Sequence, residues 1–208
     1  WLTSCDDEAL AGGANLAAIG SELIQFGEAT SLGPGQFRLS RLLRGRGGTE
    51  WASSIHGVGE LFCVIESGAV QPLILPSWSV GALVTATLRY GPAASMVISA
   101  ESLRPPQLVN LTAAVQPTGG LEINWTRRSR AAWGWVDEVE TPLGERLEQY
   151  RVALTGPATN AEFLSDEPSL SLSATTVASF GPGPINIDVR QIGDFAVSRA
   201  AQLSINLP

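Results

Sequence analysis

The chain has 208 residues and a formal net charge of −7, with 44% hydrophobic and 16% charged residues. These values exclude a disordered chain, and the acidic balance argues against general affinity for nucleic acid or for an anionic membrane. No apolar run reaches the roughly 18 residues that a spanning helix requires, so we expect no membrane-spanning segment.

The front part of the chain, residues 1–103, is predicted to form a β-rich domain with at most one or two short helices. Two strands are expected at 22–32 and 36–43, because the turn sequence Gly33-Pro34-Gly35 separates them. A short helix is predicted over 48–56. Further strands are expected at 61–67, 71–76 and 82–90.

An arginine cluster stands out in this acidic chain, since four of the 13 basic residues fall within nine positions: Arg38, Arg41, Arg44 and Arg46. The run lacks the lysine and the glycine spacing of a phosphate-binding loop. Residues 1–103 carry five arginines against nine acidic residues, which disfavours nucleic-acid binding. The favoured interpretation is structural: guanidinium groups hold carbonyls and carboxylates beside a tightly turning, glycine-rich chain. A subunit contact is the alternative.

The single histidine, His56, has no obvious partners for hydrolytic chemistry. A metal site built from His56, Glu60 and Cys63 is a weaker alternative to a hydrogen-bonded structural role. We therefore predict no catalytic residue, no metal and no cofactor. Cys5 and Cys63 are the only cysteines, and their spacing does not indicate whether they pair, although two reduced thiols are favoured.

The pattern changes near Pro105-Pro106, which cannot continue a helix or a central strand. Residues 104–208 then show short alternating segments, which are typical of an antiparallel β-sandwich. Strands are predicted at 108–115, 121–127, 147–156, 169–177, 185–192 and 201–207. The fold class is therefore mainly β, with a β-rich domain followed by a sandwich.

The segment WTRRSRAAWGW, which begins at Trp125, holds three of the six tryptophans and three arginines. Trp125 is predicted to lie in the sandwich core because it alternates with polar neighbours. Trp133 and Trp135 either pack over one end of the sandwich or contact another chain. Arg127 and Arg130 either stack on these rings or reach anionic groups.

Residues 104–208 resemble a fibronectin type III domain. The resemblance depends on the proline-rich entry, the Trp125 strand, the Tyr150 strand and the segment 189–198. One departure is the missing tyrosine on the penultimate strand, where Ile185 and Ile187 stand instead. Such a domain implies a spacer or binding module rather than a catalyst.

The arginine cluster carries a second resemblance. Residues 42–50 (LLRGRGGTE) and 56–60 (HGVGE) resemble the C-terminal part of the large tail-tip protein of siphophages and gene transfer agents. In that family, the leucine-leucine-arginine-glycine-arginine run also follows a strand and precedes a His-x-x-Gly-Glu segment. The stretch 124–152 is similar to the same family's fibronectin-like domain.

This resemblance implies a non-enzymatic structural and recognition protein of a virion. Its expected partners are other copies of the chain, as a trimer, other tail proteins and a host-surface receptor. The only methionine is Met96, so we expect the chain to be a piece of a longer protein. The alternative is a non-catalytic accessory region, carbohydrate-binding or spacer, of a secreted carbohydrate-active enzyme. Hydrolase activity within residues 1–103 is a third, weaker hypothesis.

Overall fold

The computed structural model describes residues 1–66, 68, 74–130 and 141–208. It is mainly β with antiparallel sheets, which confirms the predicted fold class. Two compact units, residues 1–75 and 76–208, divide the chain. The predicted domain boundary after residue 103 falls within the second unit and stays a prediction.

The first unit is built on one four-stranded antiparallel sheet in the order β3-β2-β1-β4. Its two long strands form a hairpin around the turn at Pro34-Gly35, as the sequence predicted. A short helix and a short strand that were not predicted precede this hairpin. The elements are α1 (Asp7–Ala11), β1 (Leu16–Ile19), β2 (Glu22–Gly33), β3 (Gln36–Arg46) and β4 (Phe62–Val64).

The core of this unit is small. Ala17, Ile24 and Phe26 are buried, with Leu39 and Phe62 packed against them. On the other face of β2, Gln25 is also buried, and its Nε2 donates to the carbonyls of Leu10 and Ala14, both at 2.8 Å. Because an unpaired buried donor is costly, these two bonds of Nε2 fix the end of α1 against β2.

The helix predicted over 48–56 is wrong in extent, since only one 3₁₀ turn forms, Glu50–Ala52. Gly47 and Gly48 have φ values of +64° and +82°, which hold the chain in a turn before it. The Thr49 hydroxyl does not cap the turn: it accepts from the Leu23 N–H and donates to the Arg46 carbonyl.

Two other strand predictions in the front part differ from the structure. The strand predicted at 61–67 is shorter and forms β4. Residues 71–73 of the strand predicted at 71–76 lie outside the described residues, and residues 74–76 are not in a strand.

The second unit begins with a two-stranded hairpin, β5 (Leu83–Thr87) and β6 (Ala93–Val97). The prediction of a strand at 82–90 is met by β5. One 3₁₀ turn precedes the hairpin at Ser77–Ser79 and another follows it at Glu101–Leu103. An isolated two-stranded ribbon has little stability of its own, so it depends on what packs against it.

The rest of the second unit is a seven-stranded sandwich. One sheet has the order β10-β9-β12-β13 and the other β11-β8-β7, all antiparallel. With the strands lettered in chain order, this is the C′-C-F-G and E-B-A arrangement of a fibronectin type III-like sandwich. The strands are β7 (Val109–Val115), β8 (Leu121–Thr126), β9 (Tyr150–Thr155), β10 (Asn160–Ser165), β11 (Ser169–Leu172), β12 (Gly183–Gln191) and β13 (Ala201–Leu207).

Strict alternation of apolar residues places the sandwich core between the two sheets. Along β8, Leu121, Ile123 and Trp125 are buried and their neighbours are exposed. Trp125 is 5% exposed, and its ring meets Tyr150 of β9 edge-on at 5.1 Å. The prediction that Trp125 belongs to the core is confirmed.

The strand predicted at 169–177 is wrong in its second half. It ends at Leu172, and α2 (Ala174–Ala178) follows. Ser173 caps this helix, because its hydroxyl accepts from the Thr176 N–H at 3.2 Å. The strand β10 was not predicted from the sequence.

Candidate functional site

A buried carboxylate organises the polar site of the first unit. Glu22, the first residue of β2, is fully buried. It accepts hydrogen bonds from Arg44 Nε at 2.9 Å and Nη2 at 2.6 Å, from the Gly45 N–H at 2.7 Å and from His56 Nε2 at 2.6 Å. We call Glu22, Arg44, His56 and Glu60 the Glu22 cluster.

Arg44 links three parts of the chain. It lies on β3 opposite the start of β2, where its guanidinium binds Glu22 in a bidentate manner. Its Nη2 also donates to the Ser53 carbonyl at 2.8 Å. A planar guanidinium suits such a combination of a carboxylate and a carbonyl. Among the four clustered arginines, Arg44 makes contacts of the kind that a structural role requires, while the predicted role of the set stays a prediction.

His56 lies between two carboxylates. While its Nε2 faces Glu22, its Nδ1 is 2.5 Å from Glu60 Oε2. A neutral imidazole donates from one nitrogen only, so two carboxylate partners require the imidazolium form. The hydrogen bond to Glu60, followed by the one to Glu22, raises the pKa of His56 above its ordinary value.

The pKa values of the two carboxylates, Glu22 and Glu60, shift in the opposite direction to that of His56. Burial alone would raise the pKa of Glu22, but the hydrogen bonds from Arg44, His56 and the Gly45 N–H outweigh it and lower the pKa to about 2. The hydrogen bond from His56 likewise lowers the pKa of Glu60. With His56 protonated, the cluster therefore holds two anions and two cations in close contact.

The other three arginines of the sequence motif do not join this cluster. Arg41 pairs with Asp7 of α1, where both side chains are well exposed, so the pair adds little stability. Arg38 is exposed on β3, opposite Thr30. Arg46 pairs with Leu23 in the sheet register, and its carbonyl accepts from the Thr49 hydroxyl.

A second polar group lies in the second unit, around Arg130. Its Nε donates to Glu145 at 2.6 Å, and its Nη2 donates to the Gly144 carbonyl at 3.0 Å. The Glu145 side chain is 1% exposed and also accepts from the Asp194 N–H at 2.8 Å. Arg130 thus holds the 144–145 turn, and Glu145 joins that turn to the segment that follows β12.

Arg127 makes contacts of the same kind. It donates to the carbonyls of Thr141 at 2.8 Å and Pro142 at 3.2 Å, and it lies 3.4 Å from Glu148. Trp133 and Trp135, the other two predicted contact residues, lie outside the described residues. Their predicted role stays a prediction.

The contacts of the Glu22 cluster suit a structural role better than general acid–base catalysis. Both Glu22 oxygens accept hydrogen bonds, and a carboxylate with such a low pKa is a poor general base near neutral pH.

No group of three or more His, Cys, Asp or Glu side chains that suits a metal ion occurs among the described residues. Cys5 and Cys63 are both free thiols. In the part of the chain that the structure describes, no helix is long and apolar enough to cross a membrane.

The sequence did not indicate Glu22 or Glu145, the buried carboxylates that bind Arg44 and Arg130. Glu22 is 22 residues from Arg44 along the chain and 34 from His56. The pairing of β2 with β3 brings Arg44 to Glu22, and the segment after the 3₁₀ turn brings His56 there. The available signal was an acidic residue at the start of a predicted strand, across the hairpin from a motif rich in arginine.

Comparison with known proteins gives distant structural likenesses. A polysaccharide deacetylase from Bacillus cereus is 11% identical over 49% of this chain and 30% of its own, with a TM-score of 0.34. Domains d3-d4 of the rat CD45 extracellular region are 7% identical over 86% of this chain and 93% of theirs, with a TM-score of 0.38. The FN3tt protein is 15% identical over 49% and 94%, with a TM-score of 0.33. The fold assignment itself rests on the strand order given above.

Comparison by sequence gives a family match over part of the chain. No curated protein matches the chain. Residues 1–63, which include every member of the Glu22 cluster, match the family described as Rcc01698-like, C-terminal, and this description points to a gene transfer agent-related protein.

Proposed function

We propose that this chain is a structural and recognition component of a phage or gene transfer agent tail tip, contributing to baseplate assembly and host-cell attachment. The observation that carries the proposal is the match of residues 1–63 to the Rcc01698-like, C-terminal family. All four members of the Glu22 cluster lie within the matched residues. The proposed place of the chain is therefore the distal part of a virion.

The geometry of the first unit supports a scaffold role. Its core cluster is small, with Ala17, Ile24 and Phe26 buried together among the described residues, and the Glu22 cluster joins β2, β3 and the segment after the 3₁₀ turn by charged hydrogen bonds. Such contacts fix orientation and are costly to break. In this proposal the chain makes and breaks no covalent bond and needs no cofactor or metal.

Exposed apolar side chains support assembly through buried surface. In the first unit, Ile55, Val58 and Leu61 are 62%, 111% and 82% exposed. The hairpin of the second unit exposes Leu83 at 67% and Met96 at 65%. Exposed apolar side chains are available for burial in such contacts. We propose other copies of the chain, arranged as a trimer, and other tail proteins as the partners, with a host-surface receptor as a further one.

Cosedimentation of the chain with particles tests this function. Particles from the bacterium that encodes the chain are separated on a density gradient, and each fraction is probed with antibodies to residues 1–208. The proposal predicts that the chain sediments with the tail proteins at a fixed ratio. A chain that remains in the soluble fractions while the tail proteins sediment would refute it.

A further inference from the structure

The segment 53–61, after the 3₁₀ turn, is attached to the sheet mainly by charged contacts. Arg44 holds the Ser53 carbonyl, and the His56 and Glu60 side chains complete the Glu22 cluster. One backbone bond, from the Gly20 N–H to the Leu61 carbonyl at 3.0 Å, closes its far end. The Glu60 carboxylate lies against Gly20, in the turn between β1 and β2.

Apolar packing does little to hold this segment. A Cβ atom built at Gly57 or Gly59 would meet no atom within 4 Å. Ile55 and Val58 point to solvent rather than into the core. A segment with few buried contacts opens locally at low free-energy cost once its polar anchors are lost.

We propose that His56 is a proton-operated latch, which holds the segment 53–61 on the β1–β2 turn when its imidazole is protonated and loosens the segment between its two ends when the proton is lost. The geometry is the basis, because both ring nitrogens face carboxylate oxygens. After loss of the proton, one nitrogen presents a lone pair to a carboxylate, so one of the two bonds becomes a repulsive contact. Glu22 keeps its bonds from Arg44 and the Gly45 N–H, so the β2–β3 hairpin stays intact.

The charged groups that face His56 fix the direction of the pH dependence. They are Glu22 from β2, with Arg44 from β3 behind it, and Glu60 from the segment itself. The pKa of His56 is raised by these carboxylates, so its stabilising effect is complete below the ordinary value of 6.5 and is lost as the pH rises through the raised pKa.

The carboxylates set the acid side of the range. Their pKa values are lowered, so their contribution is present above the ordinary value of 4.5 and is lost as the pH falls, for Glu22 through about 2. The latch is therefore closed between about pH 4.5 and 6.5 and opens on the alkaline side.

The single histidine makes the test direct. The ring signals of His56, followed by NMR in the full chain, should titrate with a midpoint above 6.5. Hydrogen exchange of peptides within 53–61, corrected for the intrinsic effect of pH, should lose protection by about tenfold across the same range, the loss of one charged hydrogen bond. Peptides from β12 and β13 in the same samples should not change.

Two variants complete the experiment. In His56→Gln, the segment should exchange fast at every pH, while peptides from β2 and β3 remain protected. If this variant does not fold, Glu60→Gln serves instead, and it should shift the His56 midpoint to lower pH. A midpoint at or below 6.5, or protection of the segment that does not vary with pH in the wild-type chain, would overturn the proposal.

Discussion

Replacement of Gly45 by alanine tests how closely the chain packs around the backbone N–H that binds Glu22. Gly45 has a φ of +63° and donates its N–H to Glu22. An added Cβ would lie 2.5 Å from Glu50 Cγ and 2.8 Å from its Cα, a backbone atom that cannot rotate away. The left-handed conformation costs about 1–2 kcal/mol for a residue with a Cβ, and the overpacking costs a similar amount. We expect Gly45→Ala to lower the free energy of unfolding of the first unit by about 3 kcal/mol.

Gly47→Ala is the matched control. Its φ of +64° imposes the same backbone cost, but its added Cβ would meet only Leu23 Cδ1, at 3.3 Å. We expect about 1 kcal/mol for this variant. Hydrogen exchange along a urea series, read on peptides from β2 and β3, measures both values in the full chain. Equal destabilisation by the two substitutions would refute the packing described for Gly45.

Three further predictions concern the core and the two buried carboxylates. Leu154→Ala, in the sandwich core at 1% exposure, should cost about 2–5 kcal/mol in calorimetry of the second unit, whereas Leu164→Ala, at 63% exposure, should cost little. Glu145→Gln should increase hydrogen exchange of the 144–145 turn, because Arg130 loses its ionic partner; unchanged exchange would contradict that role. The melting temperature of the wild type should fall between pH 4.5 and about 2, since protonation of Glu22 removes its bonds, and Glu22→Gln should flatten this fall; parallel curves would disprove it.

Period-two alternation and turn residues allowed much of the fold to be predicted. The β2–β3 hairpin was predicted because the turn sequence Gly33-Pro34-Gly35 separates two segments with strand character. The sandwich was predicted because its strands alternate strictly, as in β8. Both signals depend on neighbouring residues in the sequence, so they can be recognised without knowledge of the tertiary structure.

Elements that depend on capping or on weak alternation were missed. In SLSLSATTV the alternation continues past Leu172, but the Ser173 hydroxyl begins a helix there instead. The strand β10, NAEFLS, carries few large apolar residues and gave no clear pattern. Only one helical turn forms in the segment 48–56, because the contacts of the Thr49 hydroxyl with Leu23 and Arg46 compete with helix capping.

Of the candidate site, the sequence predicted the arginines but not the carboxylates that they bind. The arginines were visible as a motif, but their partners were not, because Glu22 and Glu145 lie far from them in sequence. Of the four clustered arginines, only Arg44 enters the Glu22 cluster. Strand register makes this selection, since it decides which side chain faces the buried carboxylate.

The most direct measurement of the proposed function is a cryo-electron microscopy map of the tail tip of the particle that carries this chain. We predict density for the four-stranded sheet of residues 1–75 in three copies around the tail axis, with the exposed Ile55 and Val58 at contacts between subunits. A complete tail-tip map that accounts for all its density without this chain would contradict the proposal.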